Sequence, residues 1–282
     1  MATASIQWYP GHIAKAQQQL RQQLQRVDVI LEVVDARIPL ASRHPELNQW
    51  AGEKPCVLVF NRKDQIPVSL QQEWREWFRT QAISIWPTNA QSGEGVAVLR
   101  QHVLQLGTHV NQRRQNRGMR PRPIRAVVVG FPNVGKSALL NRLLQRRVVD
   151  SARRPGVTRS LRWVRLGADL DLLDAPGIIP PQLNDQEAAL KLAICEDIGD
   201  AAYVPEQVAA AFLEWVPQVQ PEALPALEAR YQFTWQPLGS LLLATLASQR
   251  FTGDERRAAL QILVDFRKGA LGPIALERPP AA

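Results

Sequence analysis

Near the middle of the chain, Gly130-Phe131-Pro132-Asn133-Val134-Gly135-Lys136-Ser137 fits the pattern GxxxxGK(S/T). The apolar run Ala126 to Val129 precedes it, and a helical pattern from Ser137 to Leu144 follows. A strand, a glycine-rich turn and a helix in that order aim backbone N–H groups and a helix N-terminus at phosphates, with Gly130 and Gly135 supplying the tight curvature. Asn133, Val134, Gly135, Lys136, Ser137 and Ala138 are therefore candidate nucleotide-binding residues. In such loops the lysine, here Lys136, reaches the β/γ-phosphates, and the hydroxyl of Ser137 is a ligand for Mg²⁺. A chain carrying this unit is expected to build an α/β domain around a mainly parallel sheet.

Several strand–helix units come before that loop. Val29 to Val34 is a continuous β-branched run that ends in Asp35-Ala36-Arg37-Ile38-Pro39, Pro55 to Phe60 is a second strand, and Ile83 to Trp86 a third. Ser69 to Thr80, with Trp74, Trp77 and Phe78 on one face, and Glu94 to Leu106 read as helices between them. An opening stripe of Ile13, Ala16, Leu20 and Leu24 predicts one more. Residues 107–123 are polar, arginine-rich and closed by Pro121 and Pro123, the pattern of a linker. Leu161 to Leu166 and Leu170 to Leu173 predict a hairpin. Beyond Pro181 only helical patterns remain, over Asp185 to Ile198, Pro205 to Val216, Pro221 to Tyr231, Pro237 to Ser248 and Asp254 to Lys268, several opened by proline. We therefore expect an α/β domain over residues 1–181 and a small all-α domain over 182–282.

The second strand ends at Asn61-Arg62-Lys63-Asp64, which resembles the N-K-x-D base-reading element of GTPases. Asp64 would accept hydrogen bonds from the guanine N1–H and N2 amine, a donor pair that adenine lacks. Asn61 would brace the loop, and the aliphatic stem of Arg62 would cover the base where lysine is usual. Asn89-Ala90-Gln91 ends the third strand and would add a contact from the Ala90 backbone to guanine O6. After the phosphate loop, Asp174-Ala175-Pro176-Gly177 ends a strand: Asp174 would hold Mg²⁺ through water, and the Gly177 N–H would touch the γ-phosphate. Between these, Thr158 in Arg154-Pro155-Gly156-Val157-Thr158-Arg159 is the candidate that closes on Mg²⁺ and the γ-phosphate. In an ordinary GTPase the phosphate loop comes first and the base reader late. Here the order is reversed, which points to a circularly permuted P-loop GTPase domain.

Trp8-Tyr9-Pro10-Gly11-His12-Ile13-Ala14-Lys15-Ala16 is similar to the W-F/Y-P-G-H-M-x-K-A signature of ribosome biogenesis GTPase A, the bacterial YlqF/RbgA group. Asp35-Ala36-Arg37-Ile38-Pro39-Leu40-Ala41-Ser42-Arg43, the phosphate loop, and Asp265-Phe266-Arg267-Lys268-Gly269-Ala270-Leu271-Gly272 also resemble that family. The resemblance implies a GTP-hydrolysing factor in a late step of large (50S) ribosomal subunit assembly, with a C-terminal helical domain that helps bind ribosomal RNA. It also bears on catalysis. The position after DxxG, where many GTPases use a water-orienting glutamine, is Ile178. The resemblance assigns the compensating catalytic role to His12. GTPases with asparagine at the position of Asn133 often use K⁺ near the β/γ-phosphates, so K⁺ dependence is expected.

Charge points the same way. The formal net charge is +8 and the sequence pI about 10.1, with arginines crowded between Arg113 and Arg125 and between Arg142 and Arg165. Such a surface suits a polyanion, and nucleic acid is the commonest large one in the cytosol. Met1 to Ile13 lacks a signal-peptide core, and no apolar run is long enough to cross a bilayer, so a cytoplasmic monomer without membrane partners is expected. Cys56 and Cys195 are expected to be reduced packing residues. The alternative is a nucleotide-sensing RNA-binding module whose hydrolysis is incidental, or a GTPase acting on another RNA.

Overall fold

The computed structural model describes residues 6, 13–145, 162–166, 169–175 and 185–281. Its sheet contains β1 (Val29–Asp35), β2 (Cys56–Asn61), β3 (Ile85–Thr88), β4 (Ile124–Val129), β5 (Arg162–Leu166) and β6 (Leu170–Asp174) in the order β3-β2-β1-β4-β6-β5. All neighbours are parallel except β5, which runs antiparallel to β6 as the predicted hairpin. The strand that feeds the phosphate loop, β4, is central, between β1 and β6. The circular permutation is visible in this order: the strands on one side of β4 precede it in sequence, and the hairpin on the other side follows it. Every residue of β1 is buried, as expected of a parallel strand covered on both faces. Because the register pairs Asp35 with Asn61 and Asn61 with Thr88, the C-terminal ends of β1, β2 and β3 line up along one edge.

Helix α1 (Ile13–Leu24) precedes β1, and α2 (Leu47–Ala51), α3 (Val68–Thr80), α4 (Val96–Asn116) and α5 (Lys136–Leu143) follow β1, β2, β3 and β4 in turn. Trp74 and Phe78 of α3 are fully buried against Phe60 of β2, the face expected from the aromatic spacing. Three expectations need correction. Strand β3 starts at Ile85 and contains Pro87; it tolerates proline because it is the sheet edge, where one missing N–H costs no ladder bond. Helix α4 runs through the supposed linker to Asn116. Arginine and glutamine are adequate helix formers on a solvated face, Gly107 makes room for Ile124, and Asn111 brackets the Arg122 backbone with bonds of 3.0 and 3.1 Å. The irregular connection is thus 117–123. Cys56, the first residue of β2, is exposed, whereas Cys195 is buried; both are free thiols.

The C-terminal segment holds α6 (Gln186–Cys195), α7 (Pro205–Val219), α8 (Leu224–Tyr231), α9 (Gly239–Arg250) and α10 (Glu255–Arg267). Asp185 caps α6 by accepting from Glu187 and Ala188 N–H, and Asp254 caps α10 through Arg257 N–H. Gly239 brings α9 close to α7, since a Cβ there would lie 2.1 Å from the Ala210 carbonyl oxygen. The chain then returns to the sheet. Leu276 N–H donates to the Arg37 carbonyl at 2.9 Å, Glu277 accepts from Leu40 and Ala41 N–H, and Ala275 is buried with Phe60 and Trp74. One apolar cluster accordingly contains both strand residues such as Val128 and helical residues such as Phe212 and Phe266.

Candidate nucleotide site

The site lies on the strand edge that carries Asp35, Asn61, Thr88 and Asp174. Asn61 is buried at its centre. Its amide donates to the Val134 carbonyl at 2.8 Å, and its Oδ1 accepts from the Ala90 N–H at 3.0 Å and the Thr88 hydroxyl at 3.2 Å. One side chain therefore ties the base-reading loop, the phosphate loop and the loop after β3 together, as its expected bracing role requires. Gly135 is what admits it: a Cβ there would sit 2.2 Å from Asn61 Nδ2, and the backbone has φ +102°. Gly130 likewise lets the loop pass the Val33 carbonyl of β1.

On the base side, Asp64 is exposed in a short 3-10 turn over Lys63–Gln65, where its carboxylate can meet a guanine edge. Lys63 pairs with Glu94, and its carbonyl accepts from the Gln71 amide at 2.8 Å. The guanidinium of Arg62 has partners of its own. One nitrogen donates to Asp35 at 2.7 Å and another to the carbonyl of Asn133. The Ala90 N–H expected to meet guanine O6 is given to Asn61. Arg142 of α5, counted among the surface arginines in the sequence reading, donates to the carbonyls of Ala90 and Gln91 and holds their loop in place.

On the phosphate side, Lys136 opens α5 and is buried, its ammonium donating to the Phe131 carbonyl at 2.6 Å. Burial lowers its pKa to about 8 even though the carboxylates of Asp174 and Asp197 oppose that shift. Ser137 and Ala138 follow in the first turn of α5, and Asp174 ends β6, buried. A hydroxyl and a carboxylate are hard oxygen donors of the kind that suit Mg²⁺. Asn133 adopts φ +57° and donates its side-chain amide to the Glu196 carbonyl at 2.6 Å. His12, Thr158, Gly177 and Ile178 lie outside the described residues.

The sequence reading missed a set of residues beneath the loop. Asp35 and Arg37 form a doubly bonded, fully buried ion pair, at 2.7 and 3.0 Å. Burial pushes Asp35 up, but Arg37 and Arg62 outweigh it and hold the carboxyl at about 2. Asp197, after α6, is buried beside them. Burial above all, and then the Asp35 charge, raises it well above the carboxylate range. Asp35 and Arg37 lie two residues apart in one motif, but the approach of Arg62 and Asp197 to them, from 27 and 162 residues away from Asp35, leaves no local signal.

A GxxxxGK(S/T) loop between β4 and α5, and an N-R-K-D stretch at the end of β2 on the same edge of a permuted, mainly parallel sheet, are the arrangement of a P-loop GTPase. A family model described as "50S ribosome-binding GTPase" matches residues 125–209. The chain is 37% identical to ribosome biogenesis GTPase A of Priestia megaterium over 99% of its own length and 98% of that protein. It is 32% identical to the Bacillus pumilus protein of that name, over 98% and 99%. Mitochondrial ribosome-associated GTPase 1 of Mus musculus matches at 31% identity over 96% of this chain and 90% of its own. In fold it resembles the crystal structure of GNP-bound YlqF from T. maritima, with a TM-score of 0.65 at 22% identity, covering 95% of this chain and 100% of that one. The chain belongs to the ribosome biogenesis GTPase A family, and its activity is the hydrolysis of GTP.

Proposed function

We propose that this GTPase is an assembly factor that acts late in maturation of the large ribosomal subunit and binds pre-ribosomal RNA in its GTP state. The observation that carries the reading is the Asn61 junction, which joins a guanine-selective loop to a phosphate loop in the permuted order of the ribosome biogenesis relatives. The net positive charge of the chain supplies the attraction for RNA. Asp64 selects the guanine base, Lys136 binds the β/γ-phosphates, and Ser137 with Asp174 and Thr158 would hold Mg²⁺, whose charge neutralises the developing phosphate charge. His12 would orient the attacking water in place of a glutamine, with K⁺ near Asn133. Residues 1–181 would form the catalytic domain and 182–282 the helical RNA-binding domain of a monomer working in the cytoplasm. Among the described residues no helix is long and apolar enough to cross a membrane.

The test is co-sedimentation with large ribosomal subunits under GTP, GDP and a non-hydrolysable analogue. Association should be strongest with the analogue and fall steeply with salt, and subunits should accelerate an otherwise slow hydrolysis. Nucleotide-independent association without any acceleration would instead indicate an RNA-binding module whose hydrolysis is incidental.

A further inference from the structure

Asn133 is held from both of its ends by one closed circuit of polar contacts. Its carbonyl accepts from Arg62, and Arg62 donates to Asp35 at 2.7 Å. Arg37 donates to the same Asp35 oxygen at 2.7 Å and to the Cys195 carbonyl at 3.3 Å. The next carbonyl along, that of Glu196, accepts from the Asn133 amide at 2.6 Å. The circuit thus runs from the phosphate loop through the ends of β2 and β1 to the C-terminus of α6 and back to the phosphate loop.

Its far side is anchored in the helical segment. The Arg37 guanidinium lies 4.8 Å over the Phe266 ring of α10. Arg267 of α10 donates to the Ala193 and Ile194 carbonyls at 2.8 and 2.9 Å and to the Tyr203 hydroxyl at 2.8 Å, which fixes the last turn of α6. Leu276 N–H seals the Arg37 carbonyl.

Two features of the circuit bear on the phosphate loop. Asn133 and Glu196 both have left-handed backbones, at φ +57° and +67°, the first in the phosphate loop and the second as the cap of α6. Asp197 is fully buried with neither carboxylate oxygen hydrogen-bonded among the described residues. The charges that act on it are Asp35, Arg37, Arg62 and Lys136. A phosphate chain arriving at Lys136 brings negative charge into the same group of cations.

We propose that Asn133, Arg62, Asp35 and Arg37 form a relay through which occupancy of the phosphate loop resets the C-terminal cap of α6 and its seat on α10, so that the nucleotide and the helical segment set each other's affinity. Such coupling is reciprocal by thermodynamic necessity. The relay rests on the reading that residues 130–137 hold the nucleotide. Residues of α10 that touch no part of that loop then become positioning residues for nucleotide binding, with Arg267 the foremost.

The experiment uses the full chain. Arg267→Met keeps the stem and removes the three bonds to α6 and Tyr203. It should fold, by circular dichroism, and change the Kd for GDP by about five-fold or more. Arg256→Ala, on the exposed side of the same helix, should leave that Kd unchanged. In hydrogen exchange, saturating GDP should alter protection at residues 192–198 and 263–277 of the wild type, and that response should be lost in Arg267→Met. Tyr203→Phe, a milder lesion of the same anchor, should shift the Kd in the same direction by less. A folded Arg267→Met or Tyr203→Phe with wild-type GDP affinity and exchange response overturns the relay, as does a wild type whose helical segment ignores GDP. A wild type that fails to bind GDP overturns the nucleotide site itself.

Discussion

Asn61 donates its side-chain amide to the Val134 carbonyl at 2.8 Å across 73 residues of sequence. That bond joins the two half-sites that circular permutation has put in reversed order, and the same side chain accepts from Ala90 and Thr88. Asn61→Ala should leave the Ala90 N–H and the Val134 carbonyl without a partner. Each unsatisfied buried group costs about 1–3 kcal/mol, so the midpoint of urea unfolding should drop, and calorimetric titration should find GDP binding weakened by about ten-fold or more.

Asp64 is exposed at the base end of the site. Asp64→Asn should weaken GDP binding and favour xanthine nucleotides, because the amide presents a donor where the carboxylate presented only acceptors. The fold should be untouched. Competition assays in which ATP displaces GDP from the wild type as well as GTP does would remove the basis of this assignment.

Lys136 gives a pH signature. Burial depresses its folded pKa to about 8 from a usual value of 10.5. Between those two pH values the unfolded chain binds more protons than the nucleotide-free fold, so stability should rise with pH across that window. Nucleotide binding should do the opposite. The phosphates require the ammonium form, so GDP affinity should decline above pH 8, approaching about ten-fold per pH unit. Lys136→Ala should abolish both the hydrolysis and this pH dependence; a Lys136→Ala variant with normal turnover would exclude residues 130–137 as the phosphate loop.

Gly135→Ala would place a methyl group 2.2 Å from Asn61 Nδ2 at a backbone φ of +102°. The two effects act together, and substitutions strained in this way destabilise by about 1–3 kcal/mol. Thermal melting should register that loss, and Asn61 should be driven off Val134, so guanine affinity should fall with it. An unchanged melting temperature would mean that the loop and Asn61 are not in contact in solution.

For His12, the expected outcome of His12→Ala is a lower kcat with GTP affinity nearly unchanged, the pattern of an interaction made only in the transition state. Replacing K⁺ with Na⁺ should slow wild-type turnover. Steady-state kinetics showing the same kcat in both experiments would assign the water-orienting role elsewhere.

The sequence by itself determined the permuted order and nearly every strand and helix, and it marked the candidate phosphate loop and base-reading acid, because each of these is written in contiguous residues with a short period. It also placed Asn61 as a brace. What only the tertiary structure decided is where long polar side chains find partners. Arg142 reads as one more surface arginine until α5 carries it to Ala90 and Gln91. Arg62 reads as an aliphatic stem for the base, and only the fold shows that its guanidinium meets Asp35 and Asn133. The extent of α4 depended on Asn111 reaching Arg122, a contact that a polar, proline-closed stretch does not announce. Asp35 and Arg37 sit in a legible motif, but their link to Cys195 joins positions 158 residues apart. Local periodicity specifies which faces are apolar. It carries no information on which buried charge meets which distant carbonyl, because that pairing arises only when packing excludes water and every polar group must be satisfied inside the fold.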